Sequence, residues 1–536
     1  MVTLTSRIST ASESFRANRR DMLALLDDVR SVESKIEALS DLRRPQFKKR
    51  GQLHPRDRVA LLVDRGGPFV ELSSLVGLGM HGDDGGDNAT GGATITGIGL
   101  VSGVRCVVMA HDSGIKGGAI TPMGMRKQLR CQTIALENKL PLIYLVESAG
   151  GSMPHQADTF VEGGGMFRNQ ARLSAAGIPQ ISVVHGSSTA GGAYLPGLSD
   201  YVIMVRGRAK VFLAGPPLLN AATGEVATDE ELGGAVMHTN VSGVADYIAD
   251  NDEDAIELAR EIVRSLNWGT LEAATPYEPP RYDPEELAGI VPVDFRRAYD
   301  VREVIARLID ASDFLEFKQD FGVATVCGQG RLMGTPVALI GNNGPIDSDG
   351  STKAAQFIQL MCQVGTPIVY LQNITGYMVG VDAERRGIVK HGAKMIQAVA
   401  NATVPQITLH IGASFGAGHY GMCGRAFEPR FVFAWPNNRV AVMGGKQAAR
   451  VMTIIAQDRA QRDGVEPDRE KLQRAERRLV EQFNRESTAL FATARLWDDG
   501  IIDPRDSRRL LGFCLATCRE AEKRQLNPNT FGVARL

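Results

Sequence analysis

The chain has 536 residues, with 60 Lys and Arg against 61 Asp and Glu, and its net charge is −1 at neutral pH. So balanced a charge gives no overall field that would attract nucleic acid or an anionic membrane, and the length exceeds what one hydrophobic core supports. Seven scattered cysteines without a C-x-x-C pair argue against a disulfide framework. Since no apolar stretch is long enough for a membrane span and no signal core is present, we expect a cytoplasmic protein, with the mitochondrial matrix as the less favoured location.

At the N-terminus, apolar residues recur at helical spacing between residues 12 and 41, which predicts an amphipathic helix. A basic run follows, with Arg43, Arg44, Lys48, Lys49 and Arg50. This run is typical of a solvated loop. A clamp on the phosphates of a ligand is the functional alternative.

Two segments, 91–109 and 322–340, place β-branched residues on either side of a glycine turn and predict β-hairpins. Short apolar strands alternating with helical segments follow each hairpin, which indicates an α/β layered fold. The two stretches that follow the hairpins align without a gap at an offset of 226 residues. Their identities include Lys127/Lys353, Pro141/Pro367, Tyr144/Tyr370, Leu145/Leu371, Gly150/Gly376, Pro179/Pro405, Gln180/Gln406, Ile181/Ile407, Gly186/Gly412, Ser188/Ser414, Gly192/Gly418 and Tyr194/Tyr420.

The duplication predicts two copies of one α/β domain. Between them, the segment 268–293 is rich in proline and is typical of an extended linker. We therefore predict an N-terminal helical segment, a first domain, a Pro-rich linker and a second domain, at residues 1–50, 51–275, 276–293 and 294–536.

Each copy contains one turn of small residues directly after a strand, the N-terminal turn at residues 186–193 and the C-terminal turn at residues 412–419. A strand that turns through glycines into a helix exposes free N–H groups, which favour an oxyanion. Tight packing of strand against helix is the structural alternative for such glycines. Because the turns recur at equivalent positions of the repeat, we favour a role in binding oxygen atoms.

Other common catalytic motifs are absent from the sequence. There is no Walker lysine, no dinucleotide G-x-G-x-x-G order, no H-E-x-x-H and no G-x-S-x-G elbow. Nor do His, Cys, Asp or Glu follow a metal-ligand spacing. His185 and His419 flank the two turns, but lone histidines are more often packed or capping residues than general bases. The sequence thus favours an enzyme that acts mainly through hydrogen bonds donated by backbone N–H groups.

Long motifs carry a resemblance to a known family: HGSSTAGGAYLPGLSDYVIM at 185–204, GASFGAGHYGMCGRAFEPRFVFAWPN at 412–437 and DDGIIDPRDSRR at 498–509. Together they resemble the carboxyltransferase (β) subunits of biotin-dependent acyl-CoA carboxylases, most similar to the 3-methylcrotonyl-CoA and geranyl-CoA carboxylase branch. This resemblance implies two tandem crotonase-like domains built from β-β-α superhelix repeats. Coenzyme A is then the ligand whose phosphates the basic run would hold.

The resemblance also implies a mechanism and its residues. Carboxybiotin on a partner releases CO2, biotin takes the α- or γ-proton of the acyl-CoA, and two oxyanion holes hold the thioester enolate and the biotin ureido oxygen. The family pairs the C-terminal turn with the enolate and the N-terminal turn with biotin. Carried over, the hole residues are Gly191, Gly192, Ala417 and Gly418, and the neighbouring binding residues are Ala190, Gly416, Ser148, Ala149 and Gly150.

Partners follow from the same resemblance. No biotin-carrier motif and no ATP-using region is found in the sequence, so biotin and its carboxylase are expected on an α subunit. Active sites shared between subunits imply a β6 hexamer, within an α6β6 complex, and no metal in this chain. A decarboxylase subunit of the same fold, or a non-catalytic scaffold, are the alternatives.

The acyl group is indicated by one local departure from the family. Gly163, Gly164 and Gly165, placed before a helix, stand where 3-methylcrotonyl enzymes look more like a bulky aromatic followed by Gly-Arg. Loss of a ring vacates volume for an acyl chain longer than five carbons. A flexible start to the helix is the alternative for this triglycine. Phe167, His419 and Tyr420 complete the expected pocket.

Overall fold

The computed structural model describes residues 2–80, 90–269, 276–464, 466 and 468–534. Residues 270–275, which include the predicted end of the first domain, lie outside this range. The described residues form α/β structure, and their sixteen strands are β1 Val2–Thr3, β2 Phe69–Glu71, β3 Thr94–Val101, β4 Val104–His111, β5 Leu142–Ser148, β6 Gln180–Thr189, β7 Tyr201–Val205, β8 Lys210–Phe212, β9 Tyr247–Ala249, β10 Asp313–Glu316, β11 Thr325–Leu332, β12 Thr335–Asn342, β13 Ile368–Ile374, β14 Gln406–Phe415, β15 Phe431–Ala434 and β16 Arg439–Ala441.

Helices separate these strands as the alternating pattern predicts. The longer helices are Glu13–Asp41, Pro55–Leu62, Pro122–Glu137, Gln156–Ala175, Pro216–Thr223, Asp252–Ser265, Val301–Leu308, Ser348–Val364, Ile388–Ala400, Gly445–Arg462, Arg469–Glu486 and Ser507–Lys523. The shorter ones are Arg44–Lys49, Tyr194–Gly197, Asp229–Gly233, Ala235–Met237, Leu287–Ile290, Val381–Arg385, Gly416–Gly421 and Ala489–Ala494. Among the helices of the described residues, none combines the length and the apolar character that crossing a bilayer requires.

The first helix confirms the prediction from spacing, because it runs from Glu13 to Asp41. Ser12 caps it: its hydroxyl accepts a hydrogen bond from the Phe15 N–H at 3.2 Å, and this satisfies one of the free donors of the first turn. The basic run that follows forms a short helix, Arg44–Lys49, where we predicted a loop. Proline at its first turn and the buried side chain of Phe47 favour the helix.

The chain divides into two compact units. The N-terminal unit contains Ser31–Ala273, Ala494–Leu496 and Thr517–Leu536, and the C-terminal unit contains Met1–Arg30, Ala274–Thr493 and Trp497–Ala516. The N-terminal unit therefore includes two segments from the C-terminal end of the sequence, and the C-terminal unit includes one from the N-terminal end. The contiguous boundaries predicted above do not contain this exchange.

Each unit contains one eight-stranded mixed sheet. In the N-terminal unit the order is β2-β3-β4-β5-β6-β7-β9, with β8 beside the end of β6. In the C-terminal unit the order is β1-β10-β11-β12-β13-β14-β15, with β16 beside the end of β14. The predicted hairpins are the antiparallel pairs β3/β4 and β11/β12, and β4 to β7 and β12 to β15 run parallel. All seven residues of β5 are buried, as is typical of a parallel strand covered on both faces.

Both sheets show the same irregularity before the turn. The β5/β6 register passes from Val146↔Val184 to Ser148↔Ser188, and the β13/β14 register passes from Gln372↔His410 to Ile374↔Ser414. The longer strand thus carries two extra residues in each copy and bends away from its first neighbour. The bend requires glycine at position 186, because a Cβ there would stand 2.7 Å from Glu147 Cγ. The bend carries the end of the strand to its small-residue turn.

The segments exchanged between the chain ends are held by specific contacts. In the C-terminal unit, Glu303 accepts hydrogen bonds from the Ser6 hydroxyl at 2.6 Å and from the Arg7 N–H at 2.7 Å. In the N-terminal unit, the Asn529 N–H donates to Ala175 O at 2.8 Å. Arg524 donates to the backbone oxygen of Trp268 at 3.1 Å and its guanidinium lies 5.1 Å from the Trp268 ring. Each chain end is therefore part of the folded unit that it joins.

Candidate active site

The N-terminal turn follows β6 as a short 3-10 segment, residues 190–193, which continues into the helix Tyr194–Gly197. Ala190 has a φ of +53°, a conformation that few residues with a side chain adopt. Gly191 is exposed and Gly192 is buried. The N–H groups of a first helical turn have no acceptor within the helix, so this turn offers backbone donors at the surface of the unit.

The C-terminal turn repeats this geometry 226 residues later. It follows β14 and begins the helix Gly416–Gly421. Gly416 has a φ of +59° and stands at the position equivalent to Ala190. Ala417 is exposed and Gly418 is buried, which matches the pattern of Gly191 and Gly192. The two copies therefore share backbone conformation and exposure as well as sequence.

The glycines of the two turns meet different surroundings. A Cβ on Gly191 would stand 3.9 Å from Phe167 Cζ, and one on Gly192 would stand 3.6 Å from Ser188 Oγ. Both distances are ordinary contacts, so packing does not require glycine at either position. A Cβ on Gly418 would stand 3.0 Å from Gly376 Cα, so there the backbone itself demands a glycine. Packing requires glycine at neither Gly191 nor Gly192, and the absence of side chains there leaves the backbone open to a ligand.

Ser148, Ala149 and Gly150 lie directly beside the N-terminal turn. Ser148 is the register partner of Ser188, and its hydroxyl donates to Gly118 O at 2.7 Å. The Gly150 N–H donates to Ser148 Oγ at 3.1 Å, and Gly150 has a φ of +89°. The structure thus brings these three predicted residues together with the turn, and it commits the Ser148 proton to the protein.

A cavity of about 390 Å³ opens beside these residues in the N-terminal unit. Its lining comprises Arg43, Gln46, Phe47, Arg50, Ser113, Gly114, Lys116, Gly117, Glu147, Ser148, Ala149 and Ser187. Arg43, Arg50 and Lys116 are its cations, and Glu147 is its one carboxylate, which pairs with Arg58 at 2.6 Å. The cavity is therefore electropositive. The sequence pointed to Arg43 and Arg50, but it gave no sign of Lys116, which lies outside any basic run.

A buried group of charges lies under the bend of β6. Arg58 donates to Glu147 Oε2 at 2.6 Å and to Asp252 Oδ2 at 3.2 Å, and His185 Nδ1 lies 2.9 Å from Asp252 Oδ1. Burial opposes ionisation of Asp252, but its hydrogen bond with His185 and the nearby Arg58 charge prevail and lower its pKa to about 2. Burial and the Arg58 charge lower the pKa of His185. His185 is a packed residue with a carboxylate partner, as the sequence interpretation favoured.

The triglycine lies inside a helix, and our prediction that it precedes one was wrong. Gly163, Gly164 and Gly165 occupy the middle of the helix Gln156–Ala175. Each glycine costs a helix about 1 kcal/mol relative to alanine. The helix continues through them because its following turns bury Met166, Gln170, Leu173 and Ser174. Phe167 projects from the same helix to the N-terminal turn, where its ring meets Tyr194 edge-on at 5.7 Å.

The side chains of the C-terminal turn form an aromatic group. His419 meets the rings of His410 at 5.4 Å and Tyr420 at 5.9 Å, and Tyr420 lies 6.0 Å from Phe427. Tyr420 is 47% exposed, close to the 48% of Tyr194 at the equivalent position. Burial lowers the pKa of His419 to about 4, so its imidazole is neutral at pH 7. The predicted residues therefore form two groups, one in each unit.

Comparison with known proteins identifies what the chain is similar to. The carboxyl transferase domain family matches residues 46–533. A probable methylcrotonoyl-CoA carboxylase beta chain of Drosophila melanogaster is 46% identical over 99% of this chain and 95% of that protein. A probable biotin-dependent acyl-coenzyme A carboxylase beta2 subunit of Mycobacterium tuberculosis is 51% identical over 91% of each. The crystal structure of the P. aeruginosa geranyl-CoA carboxylase beta subunit is 53% identical, covers 100% of both chains and superposes with a TM-score of 0.94.

Proposed function

Since the chain belongs to the carboxyl transferase domain family, as the carboxyltransferase subunit of an acyl-CoA carboxylase with the crotonase-like fold, we propose that it carboxylates an acyl-CoA longer than five carbons at its N-terminal turn. Geranyl-CoA is the first candidate, and 3-methylcrotonyl-CoA is the shorter competitor. The observation that carries this proposal is the open triglycine beside that turn.

The triglycine has no internal explanation. A Cβ on Gly163 would stand 3.6 Å from Met125 Sδ, one on Gly164 would meet nothing within 4 Å, and one on Gly165 would stand 3.4 Å from Leu129 Cδ2. Alanine would fit at all three positions and stabilise the helix by about 1 kcal/mol each. Glycines that neither packing nor backbone conformation requires leave room for something outside the chain. An apolar acyl tail that lies along this helix, with Phe167 beside it, satisfies that requirement.

The cavity suits the other end of the same substrate, its coenzyme A moiety. Arg43 and Arg50 are exposed cations that line it, with Lys116 on a second wall. Guanidinium groups bind phosphate through paired hydrogen bonds, so the cavity suits the phosphates of coenzyme A. Ser148, Ala149 and Ser187 line the cavity and lie within a few residues of the N-terminal turn. Nucleotide and thioester are thus both accommodated in the N-terminal unit.

This arrangement reverses the pairing that the family resemblance implies. The cavity proposed for the phosphates borders the N-terminal turn, and the helix with the triglycine contacts the turn through Phe167, so we assign the thioester enolate to Gly191 and Gly192. Ala417 and Gly418 would then hold the ureido oxygen of biotin.

The chain's own part in the reaction is electrostatic. The N–H groups of Gly191 and Gly192 donate to the thioester oxygen and stabilise it as it gains charge. The exposed backbone at Ala417 fits a second oxygen ligand in the same manner. Biotin on the partner would supply the carboxyl group and the base that takes the substrate proton. The Nδ1 atoms of His185 and His419 lie within hydrogen-bond distance of protein groups, and burial lowers the pKa of both imidazoles, so neither is suited to act as the base.

We propose an α subunit with biotin carboxylase and biotin-carrier regions as the partner, and a β6 hexamer within an α6β6 complex as the assembly. The relatives named above support the partner subunit, because they are named as beta chains or subunits of biotin-dependent or acyl-CoA carboxylases. We propose a cytoplasmic location.

Gly163→Phe tests the acyl pocket in the reconstituted complex. We expect kcat/KM for geranyl-CoA to fall by about 10- to 100-fold, because the ring occupies the space of the tail, while kcat/KM for 3-methylcrotonyl-CoA changes less than about threefold. Gly163→Ala is the matched control, and it keeps both activities because a single methyl group fits. An unchanged chain-length preference of Gly163→Phe would refute the pocket, and an absence of carboxylation of every acyl-CoA by the wild type would refute the function.

The double variant Arg43→Ala/Arg50→Ala tests the phosphate cavity. We expect KM for the acyl-CoA to rise at least about tenfold with kcat nearly unchanged, because uniform binding energy is lost. Lys48→Ala/Lys49→Ala, on the same short helix but outside the cavity lining, is the control and leaves KM within about twofold. With an acyl-pantetheine that lacks the nucleotide, all three proteins should have equal KM. A KM increase that persists with acyl-pantetheine would contradict the assignment.

A further inference from the structure

His419 occupies a closed network behind the C-terminal turn. Its Nδ1 lies 2.7 Å from Ser414 Oγ. The Ser414 hydroxyl lies 2.5 Å from Gln372 Oε1, and Gln372 Nε2 donates to Met422 O. The network joins the end of β14, strand β13 and the residue after the helix Gly416–Gly421. The backbone from Phe415 to Gly418 is enclosed by these bonds.

Only one assignment of donors and acceptors satisfies all three hydrogen bonds. The Gln372 amide nitrogen faces a carbonyl, so its oxygen faces Ser414 and accepts from the hydroxyl. Because the serine proton is committed to Gln372, Ser414 Oγ accepts from His419, whose Nδ1 must carry hydrogen. A neutral Nδ1–H tautomer meets this requirement, and burial keeps the ring neutral by lowering its pKa to about 4. The neighbouring His410 is also neutral, because burial lowers its pKa to about 3.

The chain around His419 makes room for its ring. A Cβ on Gly424 would stand 2.1 Å from His419 Nε2, although the φ of Gly424, −65°, is open to any residue. Glycine is therefore required at this position by the ring alone. The Gly424 N–H donates to His419 O at 2.9 Å, and the ring meets that of His410. The imidazole is thus fixed between two parts of the C-terminal unit.

The first copy of the repeat supports its turn differently. Ala193 stands where His419 stands in the second copy, and the Ser188 hydroxyl donates to Gly192 O at 2.9 Å. In the second copy the equivalent Ser414 hydroxyl is directed to Gln372, and Gly418 O accepts instead from the Met422 N–H at 3.0 Å. The duplicated turns have the same backbone shape, but only the C-terminal turn depends on an imidazole.

We propose that His419 is a positioning residue of the C-terminal turn, which acts through Ser414 and Gln372 to hold the N–H groups of Ala417 and Gly418 in place for their ligand oxygen. The inference rests on the proposed function, because that function gives the turn its ligand. This role, behind the turn, replaces the place in the substrate pocket that the family resemblance led us to expect for His419. Its contribution is to keep the donors rigid, since small displacements of such donors cost large factors in rate.

The test compares His419→Leu with His419→Asn in the reconstituted complex. Asparagine can place its amide N–H where Nδ1–H stands, whereas leucine cannot donate. We expect His419→Leu to lower kcat by about 10- to 100-fold with KM for the acyl-CoA within about twofold, and His419→Asn to recover most of kcat. His391→Leu is the matched control, because His391 Nδ1 also bonds a hydroxyl, that of Thr352 at 2.9 Å, which is not part of the network of His419, Ser414 and Gln372.

Hydrogen exchange of the peptide that covers residues 412–424 provides a readout independent of activity. In His419→Leu its amides should exchange faster than in the wild type, and in His419→Asn protection should return. Wild-type exchange together with wild-type kcat in His419→Leu would overturn the positioning role while leaving the function intact. If the wild type carboxylates no acyl-CoA, the proposed function fails, and exchange alone then decides the role of His419. A raised KM for the acyl-CoA would also contradict the proposal.

Discussion

Gly192→Val lowers kcat for carboxyl transfer by at least about 10²- to 10³-fold, the usual cost of losing an oxyanion-hole donor, while the chain folds and assembles as the wild type does. The structure separates these two outcomes. A Cβ at Gly192 meets only Ser188 Oγ at 3.6 Å, so the fold accepts a side chain. Toward the ligand, the added methyl groups keep the thioester oxygen from reaching the backbone. Steady-state kinetics of the reconstituted complex, with the oligomeric state measured alongside, provide the test.

Two further variants complete this experiment. Gly197→Val lies in the helix that follows the same turn, where a Cβ would meet nothing within 4 Å, and it should retain activity. Ala417→Val applies the same test to the exposed position of the C-terminal turn and should also inactivate. Gly418→Val is less informative because a Cβ there already approaches Gly376 Cα at 3.0 Å. Normal turnover by both Gly192→Val and Ala417→Val would refute the two oxyanion holes.

Arg58→Met destabilises the N-terminal unit by about 3–5 kcal/mol, because it removes the buried cation that pairs with both Glu147 and Asp252. The side chain of Arg58 is 1% exposed and that of Asp252 is fully buried. The expected decrease in thermal midpoint is roughly 6–15 °C for a unit of this size. Since the pKa of Asp252 is depressed, its contribution is complete above its unfolded pKa and is lost as pH falls toward 2. The free energy of unfolding of Arg58→Met should therefore be lowered at pH 7, where the ionised Asp252 makes its full contribution to the wild type.

A nearby salt bridge supplies the control for Arg58. Arg56 stands on the same helix and pairs with Glu71 at 3.1 Å, but its side chain is 30% exposed. Arg56→Met should therefore cost no more than about 1 kcal/mol. The double variant Arg58→Met/Asp252→Asn removes one of the two carboxylate charges that lose Arg58 as partner, and it should recover part of the loss. Equal midpoints for Arg56→Met and Arg58→Met would contradict the account of a buried charge network.

The sequence predicted those helices and strands that depend on the local spacing of apolar residues and glycines. The hairpins β3/β4 and β11/β12, the helix Glu13–Asp41 and the strands that lead to the turns follow from apolar spacing and glycine placement. The offset of 226 residues went further, because it identified Ala190 and Gly416 as equivalent, and both adopt positive φ. Aligning the two copies thus matched two positions with the same backbone conformation, which neither copy indicates alone.

Features that depend on distant contacts were beyond the sequence. The triglycine was assigned to the start of a helix because glycine weakens helices locally, whereas Met166 and Leu173 bury enough surface to carry the helix through it. Lys116 is far from Arg43 in the sequence, and only the folded chain brings both into the lining of the cavity. Lys127 and Lys353, the first identity of the repeat, are buried and donate to backbone oxygens, with Lys127 reaching Thr94 O at 2.6 Å and Lys353 reaching Phe321 O at 3.0 Å. Their shared position marks a structural requirement of the fold.

The exchange of chain ends between the units limits how this protein can be divided. A gene fragment for the first half would lack Arg524 and Asn529, which bind the backbone at Trp268 and Ala175. A fragment for the second half would lack Ser6 and Arg7, and the buried Glu303 would then lose the hydrogen bonds that they donate. Although the chain arose as a duplication, neither copy is a self-sufficient gene product. Recombination between relatives would preserve folding only if both ends of the reading frame were inherited with their matching halves.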